Sequence, residues 1–121
     1  MPESYEIDRA RELVISRGWK TVTDRELRFH YERLEADRNF DPSYRQIIDL
    51  RDVERFDLST AVMLGTALAH VFRSGVPRAI LVKSDAQYNL ARMFAAYSEA
   101  DGQNVQIFKQ PETAKEWLGI T

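Results

Sequence analysis

One stretch near the middle of the chain decides the fold class: Ala79-Ile80-Leu81-Val82-Lys83-Ser84-Asp85-Ala86-Gln87. Its first four residues are all apolar, which is typical of a short buried strand. Ser84 and Gln87 then stand at the spacing of a capping box, in which each side chain accepts from a free backbone N–H group of the other residue. A buried strand that passes directly into a capped helix predicts a unit of an α/β domain.

The residues before this stretch predict another strand and helix of the same kind. The segment 44–50 reads as a strand that is buried on both faces, because three of its last four residues are apolar. A largely apolar segment from about residue 58 to 74 predicts a buried helix. Gly75 and Pro77 follow in the order that commonly ends a helix.

The alternation continues towards the end of the sequence. The helix that starts at Ser84 is expected to end near residues 101–102, and an apolar strand covers residues 105–108. Pro111 fits the first turn of a last helix, because proline lacks only an N–H group that the helix does not use there. The last third of the chain therefore predicts a helix, a strand and a helix.

The first quarter of the chain predicts a hairpin and a capped helix. Apolar residues at 5 and 7 and at 13–15 are separated by a polar turn, which indicates two antiparallel strands. Thr23 and Glu26 form a second capping box and predict the start of the first helix.

Together these elements predict a single α/β domain over residues 1–121, in the order β-β-α-β-α-β-α-β-α. Helices between successive strands imply right-handed crossovers and parallel pairing, with one antiparallel strand at the start. The result is a mixed five-stranded sheet with flanking helices. We expect the middle of the sheet to contain Ile47, Ile48, Leu50, Ile80, Val82, Val105 and Ile107, and we expect helices to start near Thr23, Ser59, Ser84 and Pro111.

Composition excludes several classes of function. Seventeen basic residues stand against nineteen acidic ones, so the net charge is −2 and nucleic acid is not an expected partner. The absence of cysteine excludes disulfides and thiolate metal sites. No apolar run is long enough to span a membrane, and the first residues lack the pattern of a signal peptide. We therefore expect a cytoplasmic protein that does not insert into membranes.

Polar residues gather after the third and fourth predicted strands, where an open α/β sheet usually binds its ligand. They are candidates for a ligand or partner site, because two helix N-termini and several cations would meet an anion at this edge. Loop charges, helix caps and a Tyr–Arg contact would explain them equally well. The candidates are Arg51, Asp52, Asp57, Ser59, Lys83, Ser84, Asp85, Tyr88 and Arg92.

No pattern of an enzyme or a metal site is present. His30 and His70 have no His, Cys or paired carboxylate at ligand spacing. We place His30 on the surface and His70 at the border of the core. No phosphate-binding glycine loop or nucleophile elbow occurs, so we expect a non-catalytic protein without a cofactor.

The element order and several short motifs resemble the STAS fold of bacterial anti-sigma-factor antagonists, the SpoIIAA-like fold. The strand Ile48-Asp49-Leu50-Arg51-Asp52-Val53 is similar to the Leu-Asp-Leu-x-x-Val strand of that family. The chain looks still more like an uncharacterised bacterial STAS-like or CRAL-TRIO-like branch. The motifs that carry this likeness are Gly18-Trp19, Asp49-Leu50-Arg51 and Ala91-Arg92-Met93-Phe94.

The resemblance implies a regulatory role for Ser59. In the antagonists, the second Ser of Asp-Ser-Ser-Gly accepts a phosphate from a partner kinase. Asp57 and Ser59 fall on the Asp and on that Ser, while Leu58 and Thr60 replace the first Ser and the Gly. Ser59 is therefore a candidate phosphoacceptor, and the alternative is that Ser59 or Asp57 only caps the helix.

Two functions follow from these patterns. The first is a non-catalytic regulatory or protein-interaction module of the STAS type, which predicts a filled core and a flat partner surface near Ser59. The alternative is a carrier or sensor for an apolar or nucleotide-like small ligand, which predicts a pocket of roughly several hundred Å³. A homodimer is also expected, because the N-terminal hairpin has little Pro or Lys to protect its edge.

Overall fold

A computed structural model describes residues 3–120. It contains five strands and four helices in the predicted order and confirms the α/β class. The elements are β1 (Glu3–Asp8), β2 (Leu13–Thr23), α1 (Asp24–Ala36), β3 (Arg45–Asp57), α2 (Thr60–Ala67), β4 (Pro77–Leu81), α3 (Asp85–Ala100), β5 (Asn104–Phe108) and α4 (Pro111–Leu118).

The strands form one mixed sheet in which the spatial order equals the chain order, β1-β2-β3-β4-β5. β1 is antiparallel to β2, and the other neighbours are parallel. Right-handed crossovers that all step in the same direction place their helices on the same face. Accordingly, Ile80 packs with α2 and α3, whereas its neighbours Ala79 and Leu81 pack with α4 on the opposite face.

The predicted helix starts are confirmed. Thr23 and Glu26 form a complete capping box, and so do Ser84 and Gln87. Pro111 occupies the first turn of α4. These signals depend on three or four consecutive residues, which is why the sequence identifies them without knowledge of the sheet.

The second helix is much shorter than the predicted segment 58–74. α2 ends at Ala67, and the chain then turns at His70, whose φ of 55° lies in the left-handed region. This turn directs Val71 and Phe72 into a cluster with residues of β2 and α1, away from the cluster that buries α2 itself. The apolar residues of the segment therefore serve two packing sites, and a continuous helix could not reach both.

β2 and β3 are longer than predicted and carry the sheet well beyond residue 50. The ladder between them has two irregularities, at each of which β3 contributes one residue more than β2. The extension of β3 is anchored by Gln87, whose Nε2 donates to the backbone oxygens of Val53 at 2.8 Å and Arg51 at 3.2 Å. These two hydrogen bonds attach the start of α3 to the second half of β3.

Candidate functional site

Ser59 lies at the N-terminus of α2 and caps it. Its Oγ accepts a hydrogen bond from the backbone N–H of Val62 at 3.1 Å. Its own backbone N–H donates to Oδ1 of Asp24, at the start of α1, at 2.7 Å. Asp57 is exposed two residues earlier, at the end of β3. The residue at the phosphoacceptor position is therefore exposed, already used as a cap, and near two carboxylates.

Arg51 is held by Asp49 of the same strand through two hydrogen bonds of 2.9 Å. Burial opposes ionisation of the Asp49 carboxyl, but these bonds prevail and lower its pKa. The pKa of Arg51 is raised, first by the bond to Asp49 and also by the negative charges of Asp52 and of Glu112 in α4. Arg51 therefore faces acidic residues, and it donates no hydrogen bond to Ser59.

Ser84, Tyr88 and Arg92 lie along the start of α3. Ser84 caps the helix by accepting from the backbone N–H of Gln87 at 3.1 Å. The Arg92 guanidinium and the Lys109 ammonium each lie 5.9 Å from the centre of the exposed Tyr88 ring. The structure thus contains the Tyr–Arg contact and adds a second cation beside the same ring.

The surface of α2 is apolar although it faces outwards. No charged residue occurs between Leu58 and Ala69, and the side chains of Leu64 and Leu68 are about two-fifths exposed, at 39% and 42%. A groove of about 340 Å³ separates this helix from α1. The small residues Ala61, Gly65 and Ala69 line one wall, and Arg28, Glu32 and Glu35 line the other. The surface near Ser59 is therefore grooved instead of flat.

A cavity of about 60 Å³ lies beneath α2, between the sheet and the helices α1 to α3. Most of its lining is apolar, with Ile48, Ile80 and Phe94 among its walls. The polar side chains of the lining include Glu3, Ser16 and His30, which lie together at one end. We call this group the polar end of the cavity. The core is thus not completely filled, and the cavity is far smaller than the pocket expected for a ligand carrier.

His30 is buried in this polar end, so its predicted surface position is wrong. Its side chain is 5% exposed, and it lies on the stripe of α1 that also carries Leu27, Tyr31 and Leu34. The spacing from Leu27 to His30 is three residues, which places both on one helix face. This spacing is the sequence signal that could have placed His30 on the buried face of α1. The predicted position of His70 at the border of the core is also wrong, because its side chain is 55% exposed. Its Nε2 lies 2.5 Å from Oδ2 of Asp101.

A continuous chain of hydrogen bonds connects His30 to the buried Arg78. Nε of Arg78 donates to Oε1 of Gln46 at 2.9 Å, and Nε2 of Gln46 donates to Oγ of Ser16 at 2.9 Å. Oγ of Ser16 lies 3.0 Å from Nε2 of His30. These residues were absent from the predicted site. The only sequence signal for Ser16, Gln46 and Arg78 was a polar residue at an inward-facing position of an otherwise apolar strand.

Burial makes both titratable groups of the polar end uncharged at neutral pH. It raises the pKa of Glu3 from 4.5 to about 8, and the negative charge of Glu26 adds to the effect. It lowers the pKa of His30 from 6.5 to about 4, with a further contribution from the positive charge of Arg33. Glu3 and His30 therefore present hydrogen-bonding groups without a net charge.

Within residues 3–120, no helix is long and apolar enough to cross a membrane, and no three acidic or histidine side chains are grouped to hold a metal ion.

Comparison with solved structures identifies the fold. The chain is similar to an uncharacterised protein of the DUF3478 family from Shewanella loihica PV-4, which has a SpoIIAA-like fold. The TM-score is 0.64, and the match covers 96% of this chain and 93% of that chain at 17% sequence identity. The chain therefore has a SpoIIAA-like, or STAS, fold, as its motifs implied. No protein-family model matches it, and no curated protein is similar to it in sequence.

Proposed function

We propose that this chain is a non-catalytic, cytoplasmic regulatory module of the STAS type that binds a protein partner on the surface of α2. The observation that carries the proposal is the uncharged, outward-facing helix with Leu64 and Leu68 exposed beside a groove. Apolar side chains that remain in water favour association, by about 25 cal/mol for each Å² that a partner covers.

The groove favours a partner that presents an amphipathic helix. Ala61, Gly65 and Ala69 recur every four residues, which leaves room for another backbone to approach closely. The opposite wall carries two carboxylates, of Glu32 and Glu35, and one guanidinium, of Arg28. A helix with an apolar face and basic residues along its flank would complement this arrangement.

A comparison of two charged variants tests the proposal. Leu64→Asp places a charge in the centre of the α2 surface, and Met93→Asp places the same charge on another apolar side chain, which is 43% exposed on α3. Proteins captured from the source cells by the wild type should be retained by the Met93 variant and lost by the Leu64 variant. Each captured protein is then purified, and its Kd for the three chains is measured. The proposal fails if no protein distinguishes the two variants.

Ser59 supplies a second arm of the same experiment. A phosphate there would meet the carboxylates of Asp24 and Asp57, which would repel it, while the free N–H groups of the helix would attract it. If Ser59 is a switch, Ser59→Asp abolishes partner binding and the chain stays folded. If Ser59 is only a cap, both Ser59→Asp and Ser59→Ala bind the partner as the wild type does.

The cavity supports a second candidate function, the binding of a small apolar ligand. Its walls are apolar and its polar groups are collected at one end, as in many ligand sites. Its volume of about 60 Å³ restricts such a ligand to a few atoms unless α2 moves. Solution NMR of the chain with small apolar probes tests this function separately from partner binding.

A further inference from the structure

One carboxyl oxygen at the polar end of the cavity makes no hydrogen bond to the described residues. Oε2 of Glu3 is buried and has no hydrogen-bond partner among residues 3–120. It lies 3.8 Å from Nδ1 of His30, which is beyond hydrogen-bond distance. A buried carboxyl oxygen without a partner costs free energy, so this position favours an additional polar atom.

The hydrogen-bond chain favours one tautomer of His30. Arginine only donates, so Gln46 must accept with Oε1 from Arg78 and donate with Nε2 to Ser16. Among residues 3–120, Ser16 Oγ has no other acceptor within hydrogen-bond distance, so we assign its hydrogen to Nε2 of His30. By this assignment Nε2 accepts, and the proton resides on Nδ1, on the side of Glu3.

A polar group bound between the two side chains would accept from His30 and serve either role towards Glu3. Nδ1 of His30 offers a hydrogen, and the carboxyl of Glu3 can donate or accept while it is protonated. A hydroxyl oxygen meets both requirements. Burial keeps Glu3 and His30 neutral near pH 7, so neither of them would offer an opposite charge to an ionised head group.

The size of the cavity limits the rest of the ligand. One water molecule needs about 10–15 Å³ of such space, so a cavity of about 60 Å³ accommodates roughly four to six non-hydrogen atoms. Its walls near the polar end are hydrocarbon, from Ile48, Ile80, Ala91 and Phe94. A short alkyl chain would fill this space.

We propose that the cavity binds a short uncharged amphiphile, an aliphatic alcohol, with its hydroxyl between Glu3 and His30 and its alkyl chain among the apolar walls. The inference rests on the second candidate function, small-ligand binding in the cavity, and specifies its ligand. It is independent of partner binding on α2.

Titration of the isotopically labelled full chain with four probes tests the assignment. The probes are 1-butanol, pentane, butyrate and butylammonium, and the signals of Ile80 and Ala91 report the cavity. We expect saturable chemical-shift changes with 1-butanol. Pentane should bind about fivefold more weakly, because one hydrogen bond is lost. The two ions should cause no saturable chemical-shift changes. Among shorter alcohols, affinity should fall about fourfold for each methylene removed.

Variants of β1 locate the hydroxyl. Glu3→Leu should weaken 1-butanol about fivefold and leave pentane unchanged, whereas Glu3→Gln should keep most of the affinity. Glu6→Leu is the control, because Glu6 is exposed on the same strand. If pentane and 1-butanol bind equally, or Glu3→Leu binds as the wild type does, the ligand assignment is wrong and the cavity function stands. If no probe shows saturable shifts, both are wrong.

Discussion

Two buried residues, Glu3 and His30, make the free energy of unfolding depend on pH. Folded, Glu3 and His30 together hold one proton from about pH 4 to about pH 8. Unfolded, they hold one proton only between their ordinary pKa values of 4.5 and 6.5. The folded state therefore binds more protons from pH 6.5 to 8, and the free energy of unfolding should decrease by about 2 kcal/mol over that range.

Urea unfolding at pH 5.5, 6.5 and 8 measures this decrease. The charges of Glu26 and Arg33 also act on the pair. Glu3→Gln removes the carboxyl proton and should flatten the curve above pH 6.5. An equally steep decrease in the variant would show that other groups cause it.

Arg78 and Gln46 should be energetically coupled. Arg78 is 4% exposed, and its guanidinium lies 4.5 Å from the centre of the Phe72 ring. Replacing either partner leaves one buried polar atom of the other without its hydrogen bond, Nε of Arg78 or Oε1 of Gln46, so Arg78→Met and Gln46→Leu should each cost about 2–4 kcal/mol of stability. The double variant should lose at least 1 kcal/mol less than the sum, by a double-mutant cycle. Strict additivity would contradict the coupling.

The cap at Ser59 gives a third residue-level prediction. Ser59→Ala should lower the free energy of unfolding by about 0.5–2 kcal/mol, because the N–H of Val62 loses its acceptor. Ser59→Asp should retain the cap, since a carboxylate also accepts from that group. Urea unfolding of the three chains measures both effects. A variant Ser59→Ala as stable as the wild type would contradict the capping role.

At the scale of elements, Gln87 should control the far end of β3. Gln87→Ala removes both hydrogen bonds to the backbone of Arg51 and Val53, together with the capping bonds that Oε1 accepts from the N–H groups of Lys83 and Ser84, and it should cost about 1–3 kcal/mol. Hydrogen exchange should accelerate in residues 51–57 and in the first turn of α3, and not elsewhere. Gln106→Ala, at an exposed position of β5, is the matched control and should change neither measurement. Uniform acceleration along the chain would indicate a general loss of stability instead.

Helix starts and the end of α3 could be predicted from the sequence, whereas the end of α2 and the buried polar contacts could not. A capping box such as Thr23 with Glu26 is encoded in four residues and needs no tertiary information. The end of α2 depends on where Phe72 packs, which is determined by β2 and α1. His30 was misplaced for the same reason: its partner Ser16 lies on a strand that the helix covers only after folding.

At the scale of the whole molecule, the sheet is open at both sides. β1 and β5 each have one hydrogen-bonded neighbour, so each leaves an edge unpaired within the described part of the chain. The homodimer predicted from the N-terminal hairpin remains a prediction, with β1 as the edge that would pair. Analytical ultracentrifugation at high concentration should show a mass near twice 14.1 kDa. A single species at the monomer mass would contradict it.

The agreement between chain order and sheet order has a kinetic consequence. Each strand pairs with the strand that precedes it in the sequence, so no strand has to wait for a later one before it can join. The loops that must close are therefore limited to one crossover at a time, which keeps the entropic barrier to each step low. During synthesis on the ribosome, the chain can assemble from β1 onwards as each segment emerges, and incomplete chains expose only one growing edge.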